Sequence, residues 1–173
     1  MFIYIAVALV AALCVFITGV YGYFTYIKYR QRRLWDSIYA HLKIKYGLLT
    51  DLLVVVKDVY PRESEMLGVL AGCLNAFILS KTPADAAAAY AKTHAALTVL
   101  DDTLKNHILL LDNDAYQTIK DEMIKTDEKI NFTARFYDDS AMKFNARLRF
   151  LPFKAVAGIF NIGAKSRLNF FNP

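Results

Sequence analysis

Charge is missing from the start of the chain: no Asp, Glu, Lys or Arg occurs between Phe2 and Ile27. At 1.5 Å per residue that stretch extends about 39 Å as a helix, more than the roughly 30 Å of a hydrocarbon core. It reads as a transmembrane helix with some tilt. A cleavable signal is the rival reading and is not expected, because Met1 is followed at once by Phe2 and Ile3, with no basic segment before the apolar run and no small-x-small site near Val20. Leu13 precedes Cys14 where lipid attachment needs a small residue. A buried core helix of this length requires more surrounding protein than the chain has. Tyr21, Tyr23, Tyr26 and Tyr29 gather at the end of the span, as amphipathic rings do at a membrane interface.

Cysteine is almost absent too, with Cys14 in the span and Cys73 on an expected helix face, so no disulfide framework exists and a reducing compartment fits. The three histidines, His41, His94 and His107, fall on separate expected helices without Cys or carboxylate at metal-ligand spacing. Paired Glu-x-x-His ligands, a glycine-rich phosphate loop and a nucleophile elbow are all missing. The chain is therefore expected to have no catalytic residues, no metal, no cofactor and no small-molecule substrate. Asp101 with Asp102, and Asp138 with Asp139, point to different helix azimuths and are expected as surface charges. Arg135, near Asp127, Glu128 and Asp138, is expected to pair in solvent along its own helix.

Acidic residues stop at Asp139, and this absence exposes a segregation within the net charge of +5. Lys28, Arg30, Arg32 and Arg33 follow the span directly, whereas no Lys or Arg precedes it. By the positive-inside rule the N-terminus is outside and the domain is cytoplasmic. A second basic group, Lys143, Arg147, Arg149, Lys154, Lys165 and Arg167, lies near the C-terminus, and the region between the two is acidic.

What is present is helical periodicity. Trp35, Ile38, Leu42, Tyr46, Leu49, Leu53, Val56 and Tyr60 recur at steps of three and four, and no Gly or Pro interrupts Lys28 to Leu34. The anchor is thus expected to run unbroken into the domain until Pro61 ends or bends it. A second helix is expected from Glu63 to Ser80, burying Met66, Val69, Leu70, Cys73, Phe77 and Ile78. Thr82, Pro83 and Asp85 have the form of an N-cap, an N1 proline and a first-turn acid. They open a third helix reaching Leu111, with Leu97, Leu100, Leu104, Ile108 and Leu111 as its stripe. Asp112, Asn113 and Asp114 supply the next turn and cap. A stripe then runs Tyr116, Ile119, Met123, Thr126, Ile130, Ala134, Tyr137, Ala141, Phe144, Leu148 and Leu151, and predicts one long helix up to Pro152.

The expected class is therefore all-α: an N-terminal transmembrane helix continuous with a long antiparallel four-helix bundle. The expected divisions are an anchor over 1–27, a bundle over 28–151 and a basic apolar tail over 152–173. An antiparallel path returns the tail to the surface where the anchor enters. Lys28, Arg30, Arg32, Arg33, Arg147, Arg149, Lys154, Lys165 and Arg167 then form one membrane-surface set facing anionic lipid, at about 1 kcal/mol each. Phe150, Phe153, Phe160, Phe170 and Phe171 add apolar insertion. The alternative for the tail is a solvated, disordered end. Nucleic acid is not expected as a partner, because these basic residues occupy the membrane face.

The ordered pieces of this pattern resemble the LemA family of bacterial membrane proteins. In the first helix of the domain the resemblance rests on Leu34 and Trp35, Leu42 to Lys45, Gly47 to Leu53, and Val56 to Val59 leading to Glu63. It is closer in Thr126 to Ile130, in Ala134 to Asp138, and in Phe144 with Asn145, which stand at the family's Tyr-Asn pairs. Pro152 with Val156 to Phe160 matches its Phe-Pro-x-x-x-Val-Ala-Gly-Leu-Phe ending. Thr50 replaces a usual proline, Asp138 the first asparagine, and Gly72 a frequent arginine. The resemblance implies a membrane-anchored helical bundle with no catalytic residues, placed in the bacterial cytoplasmic membrane and acting as a scaffold or adaptor. Its expected partners are the bilayer and either further copies of itself or another membrane protein; the alternative role is an accessory subunit of a membrane protease or transport complex.

Overall fold

The structure, a computed structural model, describes residues 1–59, 64–80, 82–104 and 112–168. Among them are five helices and no strand: α1 (Phe2–Val59), α2 (Ser64–Ile78), α3 (Pro83–Leu104), α4 (Asp114–Leu148) and α5 (Leu151–Ile159). The all-α class expected from the sequence is the class observed. So is the continuity of the apolar N-terminal segment with the domain, since α1 is one helix of 58 residues.

Local signals set the helix starts. At α3, the Thr82 hydroxyl accepts from the Asp85 backbone N–H at 3.1 Å while the Asp85 carboxylate accepts from the Thr82 backbone N–H at 3.2 Å, a reciprocal capping box. At α4, the Asn113 side chain accepts from the Tyr116 N–H at 3.0 Å.

The main core draws on the second half of α1 and on α2, α3 and α4, with Ile38, Leu42, Leu49, Leu52, Leu70, Leu100 and Ile130 all sealed from solvent. Each such aliphatic side chain stabilises the fold by about 1.5–3 kcal/mol. Tyr46 of α1 stacks on Phe77 of α2, ring centroids 4.0 Å apart and planes 11° from parallel. Helices α1 and α4 run antiparallel, since Phe24 meets Phe144 at one end and Lys45 meets Asp127 further along. The same reading of Tyr90 with Asp127 and Asp101 with Lys120 makes α3 antiparallel to α4.

Three expectations need correction. In α1 the buried position is Leu52 rather than Leu53, which is half-buried. The core face repeats as Ile38, Leu42, Lys45, Leu49, Leu52 and Val56, a heptad spacing that drifts by one residue from the expected stripe. In α2, Leu70, Cys73 and Phe77 are buried but Val69 and Ile78 are exposed, so its core face is narrower than expected. Helix α4 stops at Leu148 instead of continuing to Pro152. The Pro152 ring displaces the carbonyl four residues earlier, which belongs to Leu148, and its missing N–H leaves that carbonyl without a donor. Pro152 instead lies in the first turn of α5, where neither defect matters, and Leu151 is solvent-exposed rather than part of the stripe. Past α5 the chain reaches Leu168, which is buried in the main core. Tyr60, Pro61, Glu63, Ile108, Leu111, Phe170 and Phe171 lie outside the described residues.

Candidate functional site

Helix α1 changes character along its length. Met1 to Phe16 are all exposed, and cover begins only at Ile17 and Val20. The stretch from Phe2 to Gly19, covered only in part at Ile17, rises about 27 Å, close to a hydrocarbon core. Beyond it, Val20, Phe24 and Ile27 are buried in a second, smaller core with Phe144 of α4 and with Val156 and Ala157 of α5. Phe24 stands edge-on to Phe144 at 5.4 Å and to Phe153 at 6.1 Å. The apolar helix α5 thus collars the last third of the apolar segment. Its own outer side leaves Leu151 and Ile159 exposed, flanked by Phe150 and Phe160. Among the described residues one helix is long and apolar enough to cross a membrane, and it is this one.

The tail is fastened by two side chains of α4. Asn145 donates from Nδ2 to the Lys165 carbonyl and accepts the Lys165 N–H on Oδ1, both at 2.8 Å. Asp138 accepts the Leu168 N–H at 2.7 Å. Asp138 is therefore not a free surface charge; Asp139 beside it pairs with Lys143 in solvent. Neither fastening was visible from the sequence, although both residues occupy the Tyr-Asn positions of the resemblance.

The nine basic residues separate into groups. Lys28, Arg32 and Lys165 line one open cleft of about 390 Å³, together with Gln31, Trp35 and Tyr137. Lys28 and Lys165 also line an adjoining cavity of about 350 Å³, walled by Tyr21, Phe24, Phe144 and Phe160. Arg147 sits 4.4 Å above the Tyr23 ring, at the collar. Arg30 and Arg33 line a separate hollow with Tyr26 and Tyr29, and Arg33 lies 5.9 Å from the Tyr29 centroid. Arg149, Lys154 and Arg167 are exposed.

A buried polar network, also missed by the sequence reading, crosses the domain further along. Lys45 is fully buried and gives its ammonium to both Asp127 oxygens, at 2.6 and 2.9 Å. Tyr90 donates to Asp127 at 2.9 Å, and the Lys45 nitrogen lies 4.4 Å from the Tyr90 ring centre. Asp127 thus faces Lys45 and Tyr90 rather than Arg135 on its own helix. Nearby, the Thr93 hydroxyl spends its proton on the Ala89 carbonyl, so Tyr46 is the donor in the 2.9 Å bond to Thr93. Burial pushes Lys45 below the ordinary lysine pKa, opposed by attraction to Asp127. Burial pushes Tyr46 up to about 12, and burial with the Asp127 charge raises Tyr90 well above the usual phenol range. The signal for this network was Lys45 standing at a core position of the heptad.

Asp101 pairs with Lys120 across α3 and α4. Among the described residues no three His, Cys, Asp or Glu side chains gather as a metal set; His107 lies outside them. In comparison with known proteins, the sequence profile of the LemA family matches residues 34–172. No curated protein matches the chain.

Proposed function

Since the chain belongs to the LemA family, we propose that it is a membrane-anchored scaffold or adaptor with no chemistry of its own, holding its helical domain on the cytoplasmic side of the bacterial inner membrane. The observation that carries this reading is the uninterrupted α1, which joins an uncovered apolar segment of bilayer length to the core of the domain. Such a helix fixes the domain against the membrane instead of tethering it loosely. The basic residues after the span support the cytoplasmic orientation.

The contact surface is the outer side of α4. Phe132 and Phe136 are exposed there, edge to face with centroids 4.8 Å apart. Exposed aromatic pairs of this kind suit protein contacts. A second copy of the chain is the expected partner. Native-detergent pull-down of the parent and of Phe132→Ser/Phe136→Ser tests the reading: the parent self-associates and the variant does not. One stoichiometric foreign membrane protein, retained through the same two residues, supports instead an accessory subunit of a protease or transport complex. Labelling of a reporter fused after Pro173 by an impermeant reagent on intact cells overturns the orientation.

A further inference from the structure

We propose that the cleft between α1, α4 and the returning tail binds the phosphate of one anionic phospholipid, a specific site that rests on the membrane-anchored reading above. Three cations from two distant parts of the sequence meet there: Lys28 and Arg32 from α1, and Lys165 from the tail. Among the described residues no carboxylate lines either this cleft or the cavity adjoining it. Lys165 is held in place, because Asn145 clamps both its backbone N–H and its carbonyl.

An independent observation points to a ligand. Gln31, between Lys28 and Arg32, is only 4% exposed and lines the cleft, and its Nε2 has no hydrogen-bond partner among the described residues. A buried amide N–H without an acceptor destabilises the fold unless something supplies one. A phosphate oxygen among three cations is such an acceptor, and the charge-assisted bond to it is stronger than one to a neutral group.

Position and lining select a lipid as the source of the phosphate. The cleft lies just past the uncovered part of α1, at the level where headgroups meet the hydrocarbon core. On its membrane side it shares Thr25, Lys28 and Lys165 with the cavity walled by Tyr21, Phe24, Phe144 and Phe160. A headgroup in the basic cleft thus places its acyl chains against an aromatic wall. A small soluble phosphate leaves that wall unused.

Trp35, the sole tryptophan, lines the cleft and reports on it. The full chain in neutral detergent is titrated with phosphatidylglycerol and, separately, phosphatidylcholine, following Trp35 emission and counting retained lipids by native mass spectrometry. The expected result is one saturable phosphatidylglycerol per chain, with phosphatidylcholine at least about tenfold weaker. Lys28→Gln/Arg32→Gln/Lys165→Gln weakens phosphatidylglycerol by about tenfold or more, whereas Arg30→Gln/Arg33→Gln, outside the cleft, leaves it within about twofold. Gln31→Leu, which removes the unpaired amide at similar volume, also weakens it, with helicity unchanged. Should the triple variant lose helicity, Lys165→Gln alone carries the comparison. Equal binding of the two lipids, or equal losses from the inner and outer charge changes, overturns the site. Saturable binding of inorganic phosphate that displaces phosphatidylglycerol overturns the lipid assignment in favour of a soluble phosphate compound. Flotation of the parent with phosphatidylcholine vesicles tests the anchor separately, since a failed cleft leaves flotation intact and a failed anchor abolishes it.

Discussion

Lys45 and Asp127, separated by 82 positions in the chain, meet at 2.6 Å, and only one of them reaches water. The Lys45 side chain is 1% exposed and the Asp127 side chain 26%. The asymmetry decides which half of the pair is dangerous to remove. Asp127→Ala strands a buried ammonium and is expected to cost about 3 kcal/mol or more. Lys45→Met leaves a carboxylate that can turn to solvent and keeps its Tyr90 bond, at a cost of about 1–2 kcal/mol. Lys45→Met with Asp127→Leu recovers most of the loss. Thermal unfolding of the full chain in mild detergent, read by circular dichroism, orders the three; an Asp127→Ala variant as stable as the parent removes the pair from the account.

Alkaline pH acts on the same region. Burial raises the pKa of Tyr46, Tyr90, Tyr116 and Tyr137, so above about pH 10 the folded chain keeps phenolic protons that the unfolded chain releases. Their stabilising contribution is complete below pH 10 and falls as pH rises through the folded values, by up to about 1.4 kcal/mol per pH unit for each group. Lys45 is shifted the other way and gains stability as pH rises toward the ordinary lysine value, which partly offsets the start of the loss. Melting temperature is expected to fall between pH 10 and 12, and Tyr46→Phe to flatten the fall. A melting temperature constant over that interval contradicts it.

Asn145→Ala removes both bonds that fasten Lys165 and leaves the tail held by Leu168 and its bond to Asp138. The expected loss is about 1–3 kcal/mol locally. Hydrogen exchange over residues 162–168 accelerates while α4 stays protected. Equal acceleration throughout α4 means that Asn145 supports the helix rather than the tail.

A fragment starting at Leu34 keeps every buried residue of the main core and loses Val20, Phe24 and Ile27 of the smaller one. It is expected to unfold cooperatively with high helicity, but with α5 released and its amides exchanging freely. A protected α5 in the fragment shows that the collar does not depend on α1.

Much of this was legible because it is local. The capping residues Thr82 and Asn113, the start of α3 at Pro83 and the α4 stripe from Tyr116 to Phe144 each depend on a few neighbouring positions. Illegible were the features that depend on partners far along the chain. Nothing near Lys45 in the sequence marks it as buried, since only its register with Leu49 and Leu52 puts it in the core, and Asp127 has Arg135 close by on its own helix. Gln31, flanked by Arg30 and Arg32, gave no sign that it points inward rather than out. The break after Leu148 follows from Pro152, whose effect on the helix falls four residues back.

The unbroken course of α1 has a mechanical consequence. From Ile27 to Val59 the helix extends about 48 Å beyond the span. With no hinge between, a tilt of the buried portion is transmitted whole to the far end. Spans tilt by about 20° to match bilayer thickness, which on this lever sweeps the tip near Val59 by roughly 16 Å. A thinner or thicker membrane therefore changes where the domain points, and with it which neighbours come within reach.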